Sequence, residues 1–473
     1  MTGTAIRIFL CLIGISAAAL PLRGQQPDTL TLNEYLQQVI QHHPAARAAA
    51  LLEEQGRMEV RSARGFFDPV LAADLDEKQF KDKTYYRIFG TELKATTRLG
   101  VGLKAGYDYA QGDYLNPERS VPSGGLWYAG VSVPLIQGLF FDEGRGMLRQ
   151  AHIRQERYQW EQQQLLANLL YEATAAYWHW AGQFQQVITL QNAVKVAHQR
   201  FKIVRGGFNV GELPAIDTLE AFLQLQTLQS SMLEQEQELV KAEQAAASFF
   251  WSEGGDPLWV SSSFPAPLPP PVMADSLKNQ ANTEPLLWAE ASPSVRLYGF
   301  KIAELEAERR WKAEKLKPYL AASYNILSSE APTENPASYS PNNYKIGVSF
   351  KMPLLLRNAR GELQLNRLKM QTAALEQRQK RLEVTNKFET LLASLQLLQQ
   401  QIQLNQQLVN GYQAMWQGEQ RKFEYGESTL FYVNARELKY LESRLKLLSL
   451  QIKFQQQEAE LRRLMGISTL GGE

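Results

Sequence analysis

The chain has 473 residues, of which 44% are hydrophobic and 21% charged, with a mean hydropathy of −0.33. That balance is too apolar for a disordered chain, and the length is that of about three ordinary domains. Lys and Arg number 50 against 49 Asp and Glu, leaving +1, so no overall field attracts nucleic acid or anionic lipid; one cysteine excludes an internal disulfide framework and a Cys-based metal cluster, and five histidines leave little material for a His-rich metal site.

Arg7 is the only charge before the apolar run Ile8–Ile15, and small residues follow from Ser16 to Ala19. This is the n-region and h-region of a secretory signal peptide, 1–24, with cleavage expected after Gly24; a cut near Ala19 is the alternative. Cys11 lies inside the apolar run rather than at its end, which argues against a lipid-anchor cysteine. Removal of the leader leaves a cysteine-free chain, as suits an oxidising compartment. Beyond the leader no run approaches ~20 apolar residues, so no transmembrane helix is expected, although strands can cross a bilayer without such a run.

Next comes Thr31-Leu32-Asn33-Glu34, a capping-box pattern that predicts a helix start, with the helix running to about Arg64. Gly65 and Asp68-Pro69 stop it. From Leu99 to Tyr109, apolar Leu99, Val101, Leu103, Ala105, Tyr107 and Tyr109 alternate with Gly100, Gly102, Lys104, Gly106 and Asp108. The same period of two recurs with Trp127, Ala129, Val131 and Val133, then more weakly from Pro318 with Leu320, Ala322, Tyr324 and Ile326. It returns with Tyr344, Ile346, Val348, Phe350 and Met352. Such segments have the length of a bilayer-crossing barrel strand. A half-buried sheet of a soluble domain has the same alternation.

Four long helices are predicted, over about 144–205, 214–251, 360–421 and 428–465. Sixty residues at 1.5 Å rise span roughly 90 Å, more than a compact domain uses. Leu391, Leu395, Leu398, Ile402, Val409, Tyr412 and Trp416 have coiled-coil spacing, with Asn405 in the skipped core position. Leu438, Leu441, Leu445, Leu448 and Ile452 have it too.

The organisation is duplicated. Phe208-Asn209-Val210-Gly211-Glu212 recurs as Phe423-Glu424-Tyr425-Gly426-Glu427, and Gly130-Val131-Ser132 with Pro134-Leu135 recurs as Gly347-Val348-Ser349 with Pro353-Leu354. The expected division is a first repeat over 25–260, a Pro-rich extended linker over 261–273 lying on the surface, and a second repeat over 274–473.

These motifs, together with the start Leu30-Thr31-Leu32-Asn33-Glu34 and the ending Glu460-Leu461-Arg462-Arg463-Leu464-Met465-Gly466, resemble the TolC-like outer-membrane efflux proteins over nearly the whole chain. The resemblance implies a mainly α fold with membrane β: long coiled-coil helical hairpins form a periplasmic tunnel below a trimeric β-barrel of about four strands per protomer. It implies a bacterial outer-membrane location and a homotrimer in contact with outer-membrane lipid. It also implies a periplasmic adaptor and an inner-membrane pump or secretion transporter as partners. Physics agrees with an oligomer: four strands cannot close a wide barrel, whereas three chains offer about twelve, and a sheet with open edges is forbidden in lipid. The first repeat is longer between its helices than the second, and an extra hairpin near Tyr85 to Ala95 accounts for the excess.

By resemblance, the turns between paired helices form the adaptor-docking tips, here Gly206, Gly207, Phe208, Gly211 and Glu212 in the first repeat. In the second they are Phe423, Gly426, Glu427 and Ser428. Family members often narrow the tunnel with acids six and nine positions after the second tip glycine. This chain has Tyr432 and Ala435 there, and keeps Asp217 and Glu220 at the matching places of the first repeat. Phe423 stands where some relatives have a latch tyrosine, and it lacks the hydroxyl. The candidate constriction is therefore Asp217, Glu220, Phe431 and Tyr432, aromatic and steric rather than acidic; packing of the two aromatics in the helix interface is the alternative.

No catalytic, cofactor or metal site is expected. His42 and His43 are adjacent and cannot chelate from one helix face, His152, His179 and His198 are isolated, and no phosphate loop or nucleophile elbow occurs. Arg309-Arg310 and Arg462-Arg463 are too short for a nucleic-acid patch. The reading is a passive exit duct of a tripartite efflux or type I secretion system. The alternative is a secreted periplasmic coiled-coil scaffold or adaptor without a pore.

Overall fold

A computed structural model of the chain describes residues 29–260, 263–272, 285–331 and 338–466; the expected signal peptide lies outside the described residues. Strand β1, Thr29–Leu30, leads into helix α1, Leu32–His42. The capping box forms as expected: Glu34 N–H donates to Thr31 Oγ1 at 3.3 Å, and Thr31 N–H donates back to the Glu34 carboxylate at 2.9 Å. One continuous helix to Arg64 does not form. Pro44 has no N–H to donate, and the residue before a proline is driven out of the helical region. His43 accordingly adopts φ −64°, ψ 132°, and a second helix, α2, spans Pro44–Arg64. His43 caps it by accepting from Ala45 N–H at 3.1 Å through Nδ1. Burial holds the His43 imidazole below its ordinary pKa, in keeping with a neutral acceptor.

Strands β2 (Val70–Phe80), β3 (Lys83–Thr96), β4 (Gly102–Gln111) and β5 (Leu126–Pro134) follow, before helix α3, Glu143–Asn209. Helix α4 covers Ala215–Ala247, and strand β6 covers Phe264–Pro265. The second half runs α5 (Pro285–Ala291), α6 (Pro293–Glu314), β7 (Tyr319–Ser328), β8 (Tyr344–Lys351), α7 (Arg357–Glu424) and α8 (Leu430–Leu464). The two halves thus repeat one order, with α2, α3 and α4 answered by α6, α7 and α8. β4 begins at Gly102, later than the alternation suggested, because Leu99 and Gly100 turn the chain; Gly100 has φ +86°.

α3 has 67 residues and α7 has 68, so each is about 100 Å long. α3 pairs with α4 and α7 with α8, and the hairpins join through α3 against α8. Leu391, Leu395, Leu398, Ile402 and Val409 of α7 are buried with Leu447, Leu450, Phe454 and Leu461 of α8. A second stripe on α8, including Leu441 and Ile452, faces α3 instead: Leu441 packs with Ala193 and Ala197, and Ile452 fills the space above Gly182. α8 therefore carries two seams, and Leu438, expected in one, is exposed. Among the described residues no helix is long and apolar enough to cross a membrane.

The linker does not lie wholly on the surface. β6 pairs in parallel with β1, and Pro265 is buried. Tyr177 anchors both strands: its hydroxyl donates to Leu30 O at 2.7 Å and accepts from Ala266 N–H at 3.1 Å. Around it Tyr35, Leu36, Val39, Leu170, Trp180 and Ala246 form one buried apolar cluster. Burial pushes the Tyr177 phenol up to about 12.

The six strands β2-β3-β4-β5-β7-β8 form one antiparallel sheet in that order. All four expected strands are in it; the hairpin expected near Tyr85 to Ala95 is not there, since those residues lie within the single strand β3, and the hairpin that extends the sheet at one edge is β2–β3, Val70–Thr96.

Candidate functional site

Two features follow from the fold: a two-faced sheet at one end, and a pair of helix turns at the far end of the long hairpins. The pairing register decides which sheet residues share a face. Leu71↔Leu93, Leu93↔Ala105 and Ala105↔Ala129 lead on through Ala129↔Ile326 to Ile326↔Tyr344. One face therefore carries Leu71, Leu75, Phe89, Leu93, Leu103, Tyr107, Trp127, Val131, Tyr324, Ile346, Val348 and Phe350. The helices leave it uncovered: Leu71 is 73% exposed, Val348 69% and Phe350 64%. Aromatic pairs border it, Tyr107 on Trp127 at 4.7 Å and Tyr324 on Tyr344 at 5.7 Å between ring centroids. The opposite face carries Asp74, Asp76, Glu92, Lys94, Lys104, Asp108, Asn325 and Lys345, spaced by Gly90, Gly106, Gly130 and Gly347. The glycines matter where chains approach: a Cβ on Gly130 would meet the Tyr324 and Asn325 backbone. An exposed apolar band with an aromatic border, backed by a polar inner face, is the surface of a barrel wall in lipid.

Each helix turn ends in the same hydrogen-bond pattern. In the first, Gly211 N–H donates to Phe208 O at 3.0 Å and Glu212 N–H to Gly207 O at 2.9 Å. In the second, Gly426 N–H donates to Phe423 O at 3.0 Å and Glu427 N–H to Lys422 O at 2.8 Å. This is the Schellman motif, which places the glycine in the left-handed region; φ is +80° at Gly211 and +75° at Gly426. Gly206 and Gly207 do not themselves turn the chain: α3 continues through them to Asn209, and Gly207 contributes only its carbonyl to the closing bond. Gly207 instead leaves room for Leu213. Phe208 is exposed, whereas Phe423 packs beside Val204, Ala221 and Leu430 inside the tip. Ser428 donates to the Glu419 carboxylate at 2.5 Å.

The structure does not bring the four candidate constriction residues together in one way. Phe431 and Tyr432 touch each other edge to face at 5.6 Å, and both are exposed on the side of α8 away from its buried stripe. They do not pack within the helix interface of their own protomer. Glu220 turns the other way and accepts from Asn434 Nδ2 at 3.1 Å. Asp217, half-buried, lies in the first turn of α4.

Glu220 leads to a cluster that sequence reasoning missed. Arg200 of α3 grips Glu437 of α8 in a two-pronged ion pair, NH1–Oε2 2.6 Å and NH2–Oε1 3.1 Å, and NH1 also donates to Asn434 Oδ1 at 3.0 Å. The side chains are 11% and 2% exposed. A signal existed. Ala193, Ala197, Arg200 and Val204 have seam spacing, as do Val433, Glu437 and Leu441, so each charge sits in an apolar stripe.

No cluster of His, Cys, Asp and Glu able to hold a metal ion occurs among the described residues. His179 in α3 is half-buried, and desolvation lowers its pKa.

Residues 288–467 match the family described as Outer membrane efflux protein. No curated protein matches the sequence. Among solved structures, CusC is 15% identical, with 92% of each chain covered and a TM-score of 0.68. VceC from Vibrio cholerae is 14% identical, covering 92% of this chain and 96% of that one, with a TM-score of 0.65. The CmeC outer membrane channel of Campylobacter jejuni is 11% identical, covering 100% and 96%, with a TM-score of 0.64. Residues 288–467 are thus similar to the outer membrane efflux proteins, and the chain as a whole has the fold of the outer-membrane channels CusC, VceC and CmeC.

Proposed function

We propose that this protein is the outer-membrane exit duct of a tripartite efflux or type I secretion system. It is a passive conduit without catalysis, reaching from the outer membrane into the periplasm. The observation that carries this reading is the exposed apolar sheet face, joined to helical hairpins about 100 Å long. A sheet with two free edges cannot sit in lipid alone, so the edges are closed by two further copies in a homotrimer. The tips, at Gly206, Gly207, Phe208, Gly211 and Glu212 and at Phe423, Gly426, Glu427 and Ser428, present the docking surface for a periplasmic adaptor. Through it the duct meets an inner-membrane pump or secretion transporter. Phe431 and Tyr432, exposed near the tip, narrow the tunnel sterically.

Cell fractionation with bilayer reconstitution tests the reading. The expected result is an outer-membrane trimer that gives stepwise conductance in a planar bilayer. A monomer that stays soluble without detergent and has no lipid affinity overturns it. A deletion strain challenged with a toxic-compound panel, with its secreted proteins compared, identifies the cargo class.

A further inference from the structure

The hairpin β2–β3 has no counterpart in the second repeat, where α6 leads directly into β7. A wall of four strands per protomer would need β4 to pair with β8 of the neighbouring copy. That edge of β4 is already taken: β3 pairs with it from Arg87↔Gln111 to Thr96↔Gly102, while β5 holds the other edge. The free edges of the sheet are β2 and β8. β2 pairs with β3 from Val70↔Lys94 to Phe80↔Lys83, with one irregularity at Lys78/Gln79. It is eleven residues long with no proline, and its residues Asp74 and Asp76 lie on the polar face, so its open edge can pair with another strand.

The face pattern continues across the hairpin. Leu71, Ala73 and Leu75 fall in line with Leu93, Thr91 and Phe89, and these with Ala105, Tyr107 and Tyr109. Asp74 and Asp76 fall on the polar side with Glu92 and Lys94. At the far end of the apolar side Glu77 and Arg87 form an ion pair at 3.7 Å, where the band meets the Lys81–Asp82 turn. A hairpin lying outside the wall in water would have no reason to continue the band in register.

Resting on the duct reading, we infer that β2–β3 is part of the barrel wall and that its free edge, Val70–Phe80, pairs antiparallel with β8 of a second copy of this chain. Each protomer then gives six strands and the trimer eighteen. With a strand spacing of about 4.8 Å and a tilt of about 40°, eighteen strands enclose a barrel about 36 Å across, against about 24 Å for twelve. The added lining is acidic on β2, at Asp74 and Asp76.

Single cysteines in a Cys11→Ala background, reconstituted in lipid nanodiscs and probed with a water-soluble maleimide, test this. Asp74→Cys and Leu75→Cys report on β2, and Lys345→Cys and Ile346→Cys report on β8. The expected result is at least tenfold slower labelling at 75 and 346 than at 74 and 345. Contrast on β8 without contrast on β2 overturns the inference and leaves the duct standing. Loss of contrast on both strands removes the duct reading itself. An electron cryomicroscopy map of the unmodified trimer gives an independent count: eighteen strands support the inference and twelve refute it.

Discussion

Arg200→Met isolates the strongest polar contact between the two repeats. The arginine fills a seam position on α3 and meets Glu437 through two hydrogen bonds of 2.6 and 3.1 Å, with the carboxylate side chain only 2% exposed. Removing the cation leaves that carboxylate buried without its ion-pair partner. Breaking one half of a buried pair costs about 3–5 kcal/mol. At about 1.4 kcal/mol per factor of ten, local opening of the tip becomes more frequent by about two to three and a half powers of ten. Amide hydrogen exchange on the intact trimer reads this directly in the segments 197–209 and 430–441. The double variant Arg200→Met, Glu437→Met replaces both charges by apolar groups of similar size and restores protection towards wild type or beyond it. Exchange in the single variant within threefold of wild type, or equally fast in the double variant, refutes the argument that the pair holds the tip together.

Four further outcomes are expected. Tyr432→Ala raises single-channel conductance, because the ring is exposed on the α8 face that does not pack within the protomer; unchanged conductance removes the aromatic constriction. Gly211→Ala and Gly426→Ala each force a side chain into the left-handed region at φ +80° and +75°, at about 1–2 kcal/mol per site. Both reduce adaptor cross-linking at the tip, while Gly361→Ala, which lies at the start of α7 away from the tip with open space at its Cβ, leaves it intact. Val348→Lys places a charge on the apolar face and lowers trimer yield in the outer membrane, at about 2–4 kcal/mol if the site is near mid-bilayer. Ser349→Lys, on the polar face, is tolerated, and equal yields would contradict the face assignment. Thr31→Ala removes the hydroxyl that accepts from Glu34 N–H, leaves the backbone N–H of residue 31 bonded to the Glu34 carboxylate, and weakens α1 by about 1 kcal/mol, seen as faster exchange over 32–42.

Much of the fold could be read from the sequence because two periodicities dominate it. Alternation from Leu103 to Tyr109 and from Tyr344 to Phe350 gives strands, and threes and fours from Leu391 to Val409 give the seam of α7. What escaped depends on contacts between segments far apart in the chain. The break at Pro44 was legible as a local effect and was missed because the apolar pattern continues past it. β2 was not anticipated: Val70 to Phe80 runs Leu71, Ala72, Ala73, Asp74, Leu75, and the alternation is blurred until β3 supplies its register. Leu438 was assigned to the seam one position away from Glu437, which holds the slot. A charge there reads as solvated surface unless Arg200, far upstream, is known to face it. The tip glycines were found, but which of them turns the chain is fixed by the Schellman bonds of Gly211 and Gly426, not by glycine content.

On the duct reading, a chain whose described residues hold no membrane-spanning helix crosses a membrane by dividing two requirements between two architectures. Backbone hydrogen bonding must be complete where lipid surrounds the protein, and only a closed sheet meets this with strands as mixed as Lys345–Phe350. Across the periplasm water is present on both sides, so helices that bond within themselves can be long and polar, and their glutamine-rich surfaces need no partner. The join lies where β5 ends at Pro134 and α3 begins at Glu143. Asp142 caps α3 there by accepting from Arg145 N–H at 2.8 Å, and the Arg145 guanidinium reaches Leu139 O at 3.2 Å and Phe140 O at 3.0 Å. These bonds satisfy the carbonyls freed by the change from strand to helix. In the second repeat the same junction is made by Leu356 at φ +48°, without a side-chain cap. The two repeats therefore share their architecture but close their strand-to-helix joints differently, the first with side-chain hydrogen bonds and the second with a left-handed backbone turn.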